Sequence, residues 1–268
     1  MIDEFALCPR VNHQSKLPCS GTSQKWKEYM KAVILAGGKG TRLAPYTNIL
    51  PKPLMPIGDM PILEVILRQI KNAGIQKVVL TVGHLSGLLR AFFQDGHQWG
   101  MEIDYSYESH PLGTAGPIAL VEDLSDTFLV TNGDVLTTMQ FSDLINFHKE
   151  QKAMATIAVH HRKVKIDLGV IQWNGSARIT GYTEKPEYDY HVSMGVYIFE
   201  PQVISYIPRG EHLDFPELVK KLIGAGEKVV GYKYSGYWQD LGRPDDYKVA
   251  VQDFEKMRSN FLPEQNNE

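Results

Sequence analysis

Three short segments of this sequence hold residue types that could act together on phosphate. The first is Leu35-Ala36-Gly37-Gly38-Lys39-Gly40-Thr41-Arg42-Leu43, directly after the apolar run Ala32-Val33-Ile34. A glycine-rich turn at the carboxyl end of a strand lets backbone amides approach phosphate oxygens, and a neighbouring cation neutralises them. Such turns also arise for steric reasons alone, and this one has neither the Gly-Lys-Ser/Thr of a Walker loop nor the G-x-G-x-x-G dinucleotide spacing. The second segment is Pro51-Lys52-Pro53-Leu54-Met55-Pro56, where prolines on both sides fix the backbone carrying Lys52. Together Arg42 and Lys52 offer two fixed cations, suited to orienting a triphosphate and stabilising charge on a departing pyrophosphate. A lysine between prolines is, on its own, more often just solvated.

The third segment is Asn132-Gly133-Asp134, where the run Phe128-Leu129-Val130 ends. A carboxylate at the tip of a strand faces the ligand crevice of an open α/β sheet, and a hard oxygen there suits magnesium. Asn-Gly-Asp is equally good turn chemistry. A partner carboxylate is available in Tyr237-Trp238-Gln239-Asp240-Leu241-Gly242-Arg243-Pro244. Asp134 and Asp240 could hold one Mg2+ between two phosphates, aligning nucleophile and electrophile while reducing their repulsion. Asp245 and Asp246, after Pro244, are better explained as charges at a helix N-terminus. Lys39 occupies a position that almost any polar residue could fill. No Ser-His-Asp or Cys-His constellation is found, and His84, His97, His110, His148, His160 and His161 each read as structural or exposed.

These residues need a scaffold, and from Lys31 onward the pattern supplies one. Short apolar runs alternate with amphipathic segments in the rhythm of βαβ units. Strands are expected over 32–36, 77–82, 101–107, 127–131, 153–160, 169–173, 192–199 and 228–234. Helices are expected over 61–72, 85–93, 116–124, 141–152, 216–223 and 244–258. Pro61 suits a first helical turn and Gly74 a stop. Tyr247, Val251, Phe254, Met257 and Phe261 recur at helical spacing and form an apolar face for packing or subunit contact.

In order and content these motifs resemble the sugar-1-phosphate nucleotidyltransferases, or NDP-sugar pyrophosphorylases. The resemblance runs from Met30 to about Phe254. Besides the segments above, it rests on Pro111-Leu112-Gly113-Thr114-Ala115-Gly116, Glu184-Lys185-Pro186 and Ser193-Met194-Gly195-Val196-Tyr197. It implies an α/β, Rossmann-like three-layer nucleotidyltransferase (GT-A-like) fold with a mostly parallel central mixed sheet. It also implies Mg2+-dependent in-line attack of a sugar 1-phosphate on the α-phosphate of a nucleoside triphosphate, with no general base. By the same resemblance Leu35, Ala36, Gly37 and Gly38 would bind the nucleotide, with Arg42 and Lys52 acting on the triphosphate. Glu108 and Gly113 would lie near the base and Lys185 on the sugar phosphate. Glu184, with the backbone at Gly169 and Gly195, would contact sugar hydroxyls. Asp134 and Asp240 would bind magnesium.

The pattern departs from many relatives at Leu168-Gly169, where they have an aromatic before the glycine, and at Ser193-Met194-Gly195, where they have Asn-Ala-Gly. Both positions bear on which sugar is read. Pro111 to Gly116 is similar to the mannose-1-phosphate guanylyltransferases and Ser193 to Tyr197 to the adenylyltransferases, so GTP with mannose 1-phosphate is only slightly preferred. Rival readings are a non-catalytic sugar-nucleotide sensor and a nucleotidyltransferase with another acceptor. A hydride-transfer enzyme lacks the proper glycine spacing. No hexapeptide repeat follows the matching part, so a short form without a β-helix is expected.

With 268 residues, 43% hydrophobic and 22% charged, the chain is long enough for a substantial core. A formal net charge of −3 gives no reason to expect a nucleic acid or an acidic membrane surface as partner. Neither a membrane-spanning run nor a secretory signal is evident, which reads as cytoplasmic. A homo-oligomer through strands or the final helix is compatible with the pattern. Residues 1–29 show neither period and read as a disordered leader or extension, residues 30–262 as the catalytic domain, and 263–268 as a polar tail. Cys8 and Cys19, with His13 between them, could be part of a metal site but read better as a solvated tail.

Overall fold

The computed structural model describes residues 30–262. The leader with Cys8, His13 and Cys19, and the tail 263–268, lie outside the described residues.

The chain alternates strand and helix as its period demands. In order come β1 (Lys31–Ala36), β2 (Pro56–Ile57), β3 (Met60–Pro61), α1 (Ile62–Asn72), β4 (Lys77–Val82), α2 (Ser86–Phe93) and β5 (Glu102–Tyr107). Then follow β6 (Phe128–Asn132), β7 (Val135–Thr137), α3 (Phe141–Gln151), β8 (Ala155–Lys165), β9 (Val170–Trp173) and β10 (Ile179–Thr183). The chain continues with β11 (Glu187–Phe199), α4 (Phe215–Gly224), β12 (Val229–Tyr234), β13 (Trp238–Asp240), α5 (Pro244–Lys256) and α6 (Arg258–Phe261).

Seven strands form one sheet in the order β12-β8-β11-β6-β1-β4-β5. The pairs β6–β1, β1–β4, β4–β5 and β12–β8 are parallel, and only β11 runs against its neighbours β6 and β8. Side chains alternate between faces, so β1 sends Ala32, Ile34 and Ala36 into one apolar layer and Val33 into the other. The first layer packs on α1, α2, α3, α5 and α6; the second packs on α4 and on 3-10 turns at Gly116–Leu120 and Pro201–Tyr206. This is the expected three-layer α/β architecture.

Helix α1 shows why the sequence pattern was legible. Ile62, Leu63, Ile66, Leu67 and Ile70 share one face and are buried, each contributing about 1.5–3 kcal/mol by leaving water. Pro61 caps its start in extended conformation, and Gly74 follows its end at φ 90°.

One expected helix is absent. Residues 116–124 form only the 3-10 turn Gly116–Leu120, because Val121 turns back to extended backbone and Asp123 takes φ 56°. The final helix also differs from 244–258, breaking at Met257 (φ −121°) between α5 and α6. Both β8 and β11 run past the expected limits as a paired extension, Glu187↔Lys165 to His191↔His161, with the β9–β10 hairpin between them. Short strands β2, β3, β7, β10 and β13 had no separate signal. Among the described residues no helix is long and apolar enough to cross a membrane.

Candidate active site

Strand β1 ends where the glycine-rich loop begins, so the loop emerges at the carboxyl end of the sheet. A Cβ on Gly37 would lie 2.2 Å from Glu108 Oε1, so glycine is what lets that carboxylate lie against the backbone. Gly40 takes φ 61°, and the Thr47 hydroxyl donates to its carbonyl at 2.8 Å, which ties the loop down. Glu108 follows β5, and its amide donates to Val82 O at 3.1 Å. Its Oε2 accepts from the Leu112 amide at 3.0 Å. Burial nonetheless pushes its carboxyl above the usual range, the hydrogen bond opposing.

The segment Leu112 to Gly116 is anchored from a distance. Asp214 Oδ1 accepts from the amide and the hydroxyl of Thr114 at 2.9 and 3.1 Å, and the Phe215 amide donates to Thr114 Oγ1 at 2.9 Å. Gly113 has φ 78°, and a Cβ there would lie 2.7 Å from Leu213 O.

The charged centre lies at the tip of β6. Lys52 opens the 3-10 turn Lys52–Leu54 and is 8% exposed. It forms an ion pair with Asp134 and lies 3.8 Å from Asp240. The antiparallel pair β7–β13 sets Asp240 opposite Val135, next to Asp134, and the Leu241 amide donates to Asp134 O at 3.3 Å. Burial raises the Asp240 carboxyl above its ordinary range, Asp134 adds to this, and Lys52 and Arg42 oppose it. A Cβ on Gly242 would stand 3.0 Å from the Arg42 guanidinium, which therefore lies over that glycine.

A cleft of about 380 Å³ collects these parts. Among its lining residues are Leu35, Ala36, Gly37 and Gly38. Arg42, Lys52, Glu108, Gly113 and Asp134 also face it. A second cleft, about 640 Å³, shares Arg42 and is lined by Asp240, Trp238 and the outer part of β8.

The remaining expected residues sit elsewhere. Gly169 precedes β9 against Tyr182, whose hydroxyl donates to Glu184 Oε2 at 3.1 Å, and Glu184 lies 3.9 Å from Lys185. Gly169, Glu184 and Lys185 flank the β9–β10 hairpin and are not among the residues that line either cleft. Lys185 takes φ 44° in the turn into β11. Gly195 (φ 74°) meets the cleft only through Asn132, whose Nδ2 would be 2.5 Å from its Cβ.

Thr41, Thr81, Thr114 and Asn132 line the first cleft without having been singled out. Thr114 and Asn132 stood inside motifs already noted, whereas Thr81 lay within a strand and gave no signal. Arg162 and Lys163 line the second cleft and were likewise missed. His148 is structural: buried at 1% exposure, it bonds Thr156 at 2.8 Å and Glu200 at 2.9 Å. Among the described residues no group of three or more His, Cys, Asp or Glu could hold a metal, so Asp134 and Asp240 are a two-carboxylate set.

The family model "Nucleotidyl transferase" matches residues 31–257. A mannose-1-phosphate guanylyltransferase of Mycobacterium tuberculosis is 37% identical over 223 residues, covering 81% of this chain and 62% of the relative. A UTP–glucose-1-phosphate uridylyltransferase of Synechocystis sp. is 33% identical over 242 residues, covering 83% and 62%. The chain thus spans about three fifths of the length of these curated relatives. Among solved structures, a UDP-glucose pyrophosphorylase complexed with UDP-glucose has the same fold (TM-score 0.66, 18% identity, covering 85% of this chain and 98% of that one). HddC from Yersinia pseudotuberculosis shares it as well (TM-score 0.66, 23% identity, covering 84% and 99%).

Proposed function

The chain belongs to the nucleotidyl transferase family, and we propose that it joins a nucleoside triphosphate to a sugar 1-phosphate, giving an NDP-sugar and pyrophosphate. The observation that carries this is the charged centre: Lys52 between Asp134 and Asp240, with Arg42 alongside, at the mouth of a glycine-floored cleft.

In this reading the nucleoside lies in the first cleft, its base toward Glu108 and Gly113 and its phosphates over Leu35 to Gly38. A phosphate oxygen of the acceptor, already ionised, forms a bond to the α-phosphorus. The bond from that phosphorus to the bridging oxygen breaks, and its electron pair leaves with pyrophosphate. Arg42 and Lys52 stabilise the leaving group. Lys185 holds the acceptor phosphate, while Glu184 and the backbone at Gly169 and Gly195 read the sugar.

The carboxylates of Asp134 and Asp240, which both lie near the Lys52 ammonium, are a hard-oxygen donor pair that fits magnesium, which keeps several waters and phosphate oxygens of its own. Asp134 and Asp240 would hold it, and it would supply charge neutralisation at the α-phosphate. GTP with mannose 1-phosphate is the first pair to try, supported by Pro111 to Gly116 and by the 37% identical guanylyltransferase. Uridylyl, thymidylyl and adenylyl transfer to glucose 1-phosphate are the alternatives.

The test is pyrophosphate release by the purified protein with magnesium, over the common nucleoside triphosphates crossed with glucose, mannose, galactose, glucosamine and heptose 1-phosphates. Release in one pairing, abolished by chelation, is expected. Silence from folded protein that still binds a sugar nucleotide would favour a sensor instead.

A further inference from the structure

The second cleft has a charge that the proposed chemistry leaves unused. Arg162, Lys163 and Arg243 line it together with Arg42, against Asp240 and Asp246. None of Arg162, Lys163 and Arg243 forms an ion pair or a side-chain hydrogen bond with another described residue. In a chain of net charge −3, three unpaired cations around one cavity are a local concentration that an anion would neutralise.

The position of the cavity says which reactant it serves. Arg42 lines both clefts, and Asp240 lines the second while lying beside Asp134 of the first. The glycine loop accounts for the nucleotide's phosphates on the first side. A ligand in the second cleft therefore reaches the α-phosphate from the side opposite the nucleoside, which is the acceptor's side.

The cations also stand too far out to be only anomeric-phosphate ligands. Trp238 is fixed by its Nε1 donating to Met194 O at 3.0 Å, and the His160 ring lies 5.5 Å from it. Two residues further along β8, roughly 7 Å at strand rise, Arg162 projects on the same face as His160, beside its cross-strand partner Tyr190. A phosphate next to Asp240 leaves Arg162 facing the distal part of the sugar ring, with the Trp238 indole between.

Building on the reading of this chain as a sugar-1-phosphate nucleotidyltransferase, we propose that the second cleft selects an acceptor carrying a second anionic group on the sugar, with Arg162 as the residue that contacts it and Lys163, whose side chain leaves β8 on the other face, adding positive charge to the cleft it lines. The shared chemistry is a carboxylate or a further phosphate remote from the anomeric phosphate. Arginine forks match either anion, so the two sources are separated by experiment.

The experiment uses the full chain with magnesium and the preferred nucleoside triphosphate. The acceptors are glucose 1-phosphate, glucuronate 1-phosphate and glucose 1,6-bisphosphate. The expected result is kcat/KM at least tenfold higher for one charged acceptor than for glucose 1-phosphate. In the double variant Arg162→Gln, Lys163→Gln that ratio falls to about one. The charged acceptor that leads identifies the group as carboxylate or phosphate. Equal turnover of all three, or an unchanged ratio in the double variant, overturns the inference while leaving nucleotidyl transfer standing. If none is turned over, the nucleotidyl-transfer reading fails for these acceptors, and calorimetric binding of the three to the same protein decides the inference. Tenfold tighter binding of a charged acceptor, lost in the double variant, upholds it, and equal binding overturns it.

Discussion

Lys52 forms an ion pair with Asp134 and stands 3.8 Å from Asp240, so one ammonium separates two carboxylates delivered by β6 and β13. Burial first, and then the Asp134 charge, raise the Asp240 carboxyl above its ordinary range, and Lys52 opposes both. The chain thus supplies one positive charge to a position where the proposed reaction brings more negative charge.

Asp134→Asn and Asp240→Asn should each lower turnover by about a hundredfold or more, in line with loss of a preorganised electrostatic group. Circular dichroism should show the fold intact. Normal magnesium-dependent pyrophosphate release by both variants would refute the assignment.

Arg42 lies over Gly242, whose Cβ would be 3.0 Å from the guanidinium. Gly242→Ala should displace only the flexible end of that side chain. A roughly tenfold fall in kcat, with a melting temperature close to the parent's, is expected; Arg42→Ala should lose more, chiefly in kcat. If Arg42→Ala left kcat unchanged, the guanidinium would merely solvate the loop.

Gly195→Ala combines a left-handed backbone (φ 74°) with a Cβ 2.5 Å from Asn132 Nδ2. The backbone cost alone is about 1–2 kcal/mol, and chemical denaturation should reveal at least that loss. A variant as stable as the parent would mean that the backbone at Gly195 relaxes freely.

His148 gives a pH prediction. Burial lowers its basicity, with the Glu200 contact opposing. The unfolded chain therefore takes up the proton at higher pH than the folded one. The neutral imidazole's stabilisation is complete above the ordinary histidine range and is lost as pH falls through it. His148→Gln should flatten the stability profile between pH 7.5 and 5.5, by at most about 1.4 kcal/mol per pH unit. Parallel profiles for variant and parent would contradict this.

The part of the molecule read most easily from sequence was built from local signals. Buried β1 and β4, the apolar face of α1 and the glycine loop each depend on neighbours in the chain, so pattern and outcome coincide. The segment Gly116 to Leu124 misled because its apolar residues pack against α4 and the Leu213 backbone, which no local period encodes. The anchoring of Thr114 by Asp214 was invisible for the same reason: the two lie far apart in sequence. At the site, Asp134 was singled out for its strand-end context and Asp240 as a partner carboxylate in the segment Tyr237 to Pro244. Their adjacency through β7–β13 was not legible, since three-residue strands carry too little alternation to detect. Arg162 and Lys163 were missed because exposed charges on a strand look like any solvated face.

The irregularity in β11 between Ser193 and Tyr197 shifts its register against β8. Inward of it, β11 is locked between β6 and β8 with its side chains buried; outward, it pairs only with β8 and its side chains are largely exposed. The two halves are therefore constrained differently by packing. Substitutions on the outer half disturb few buried contacts and leave the strand tips that bear Asp134 and Asp240 in place.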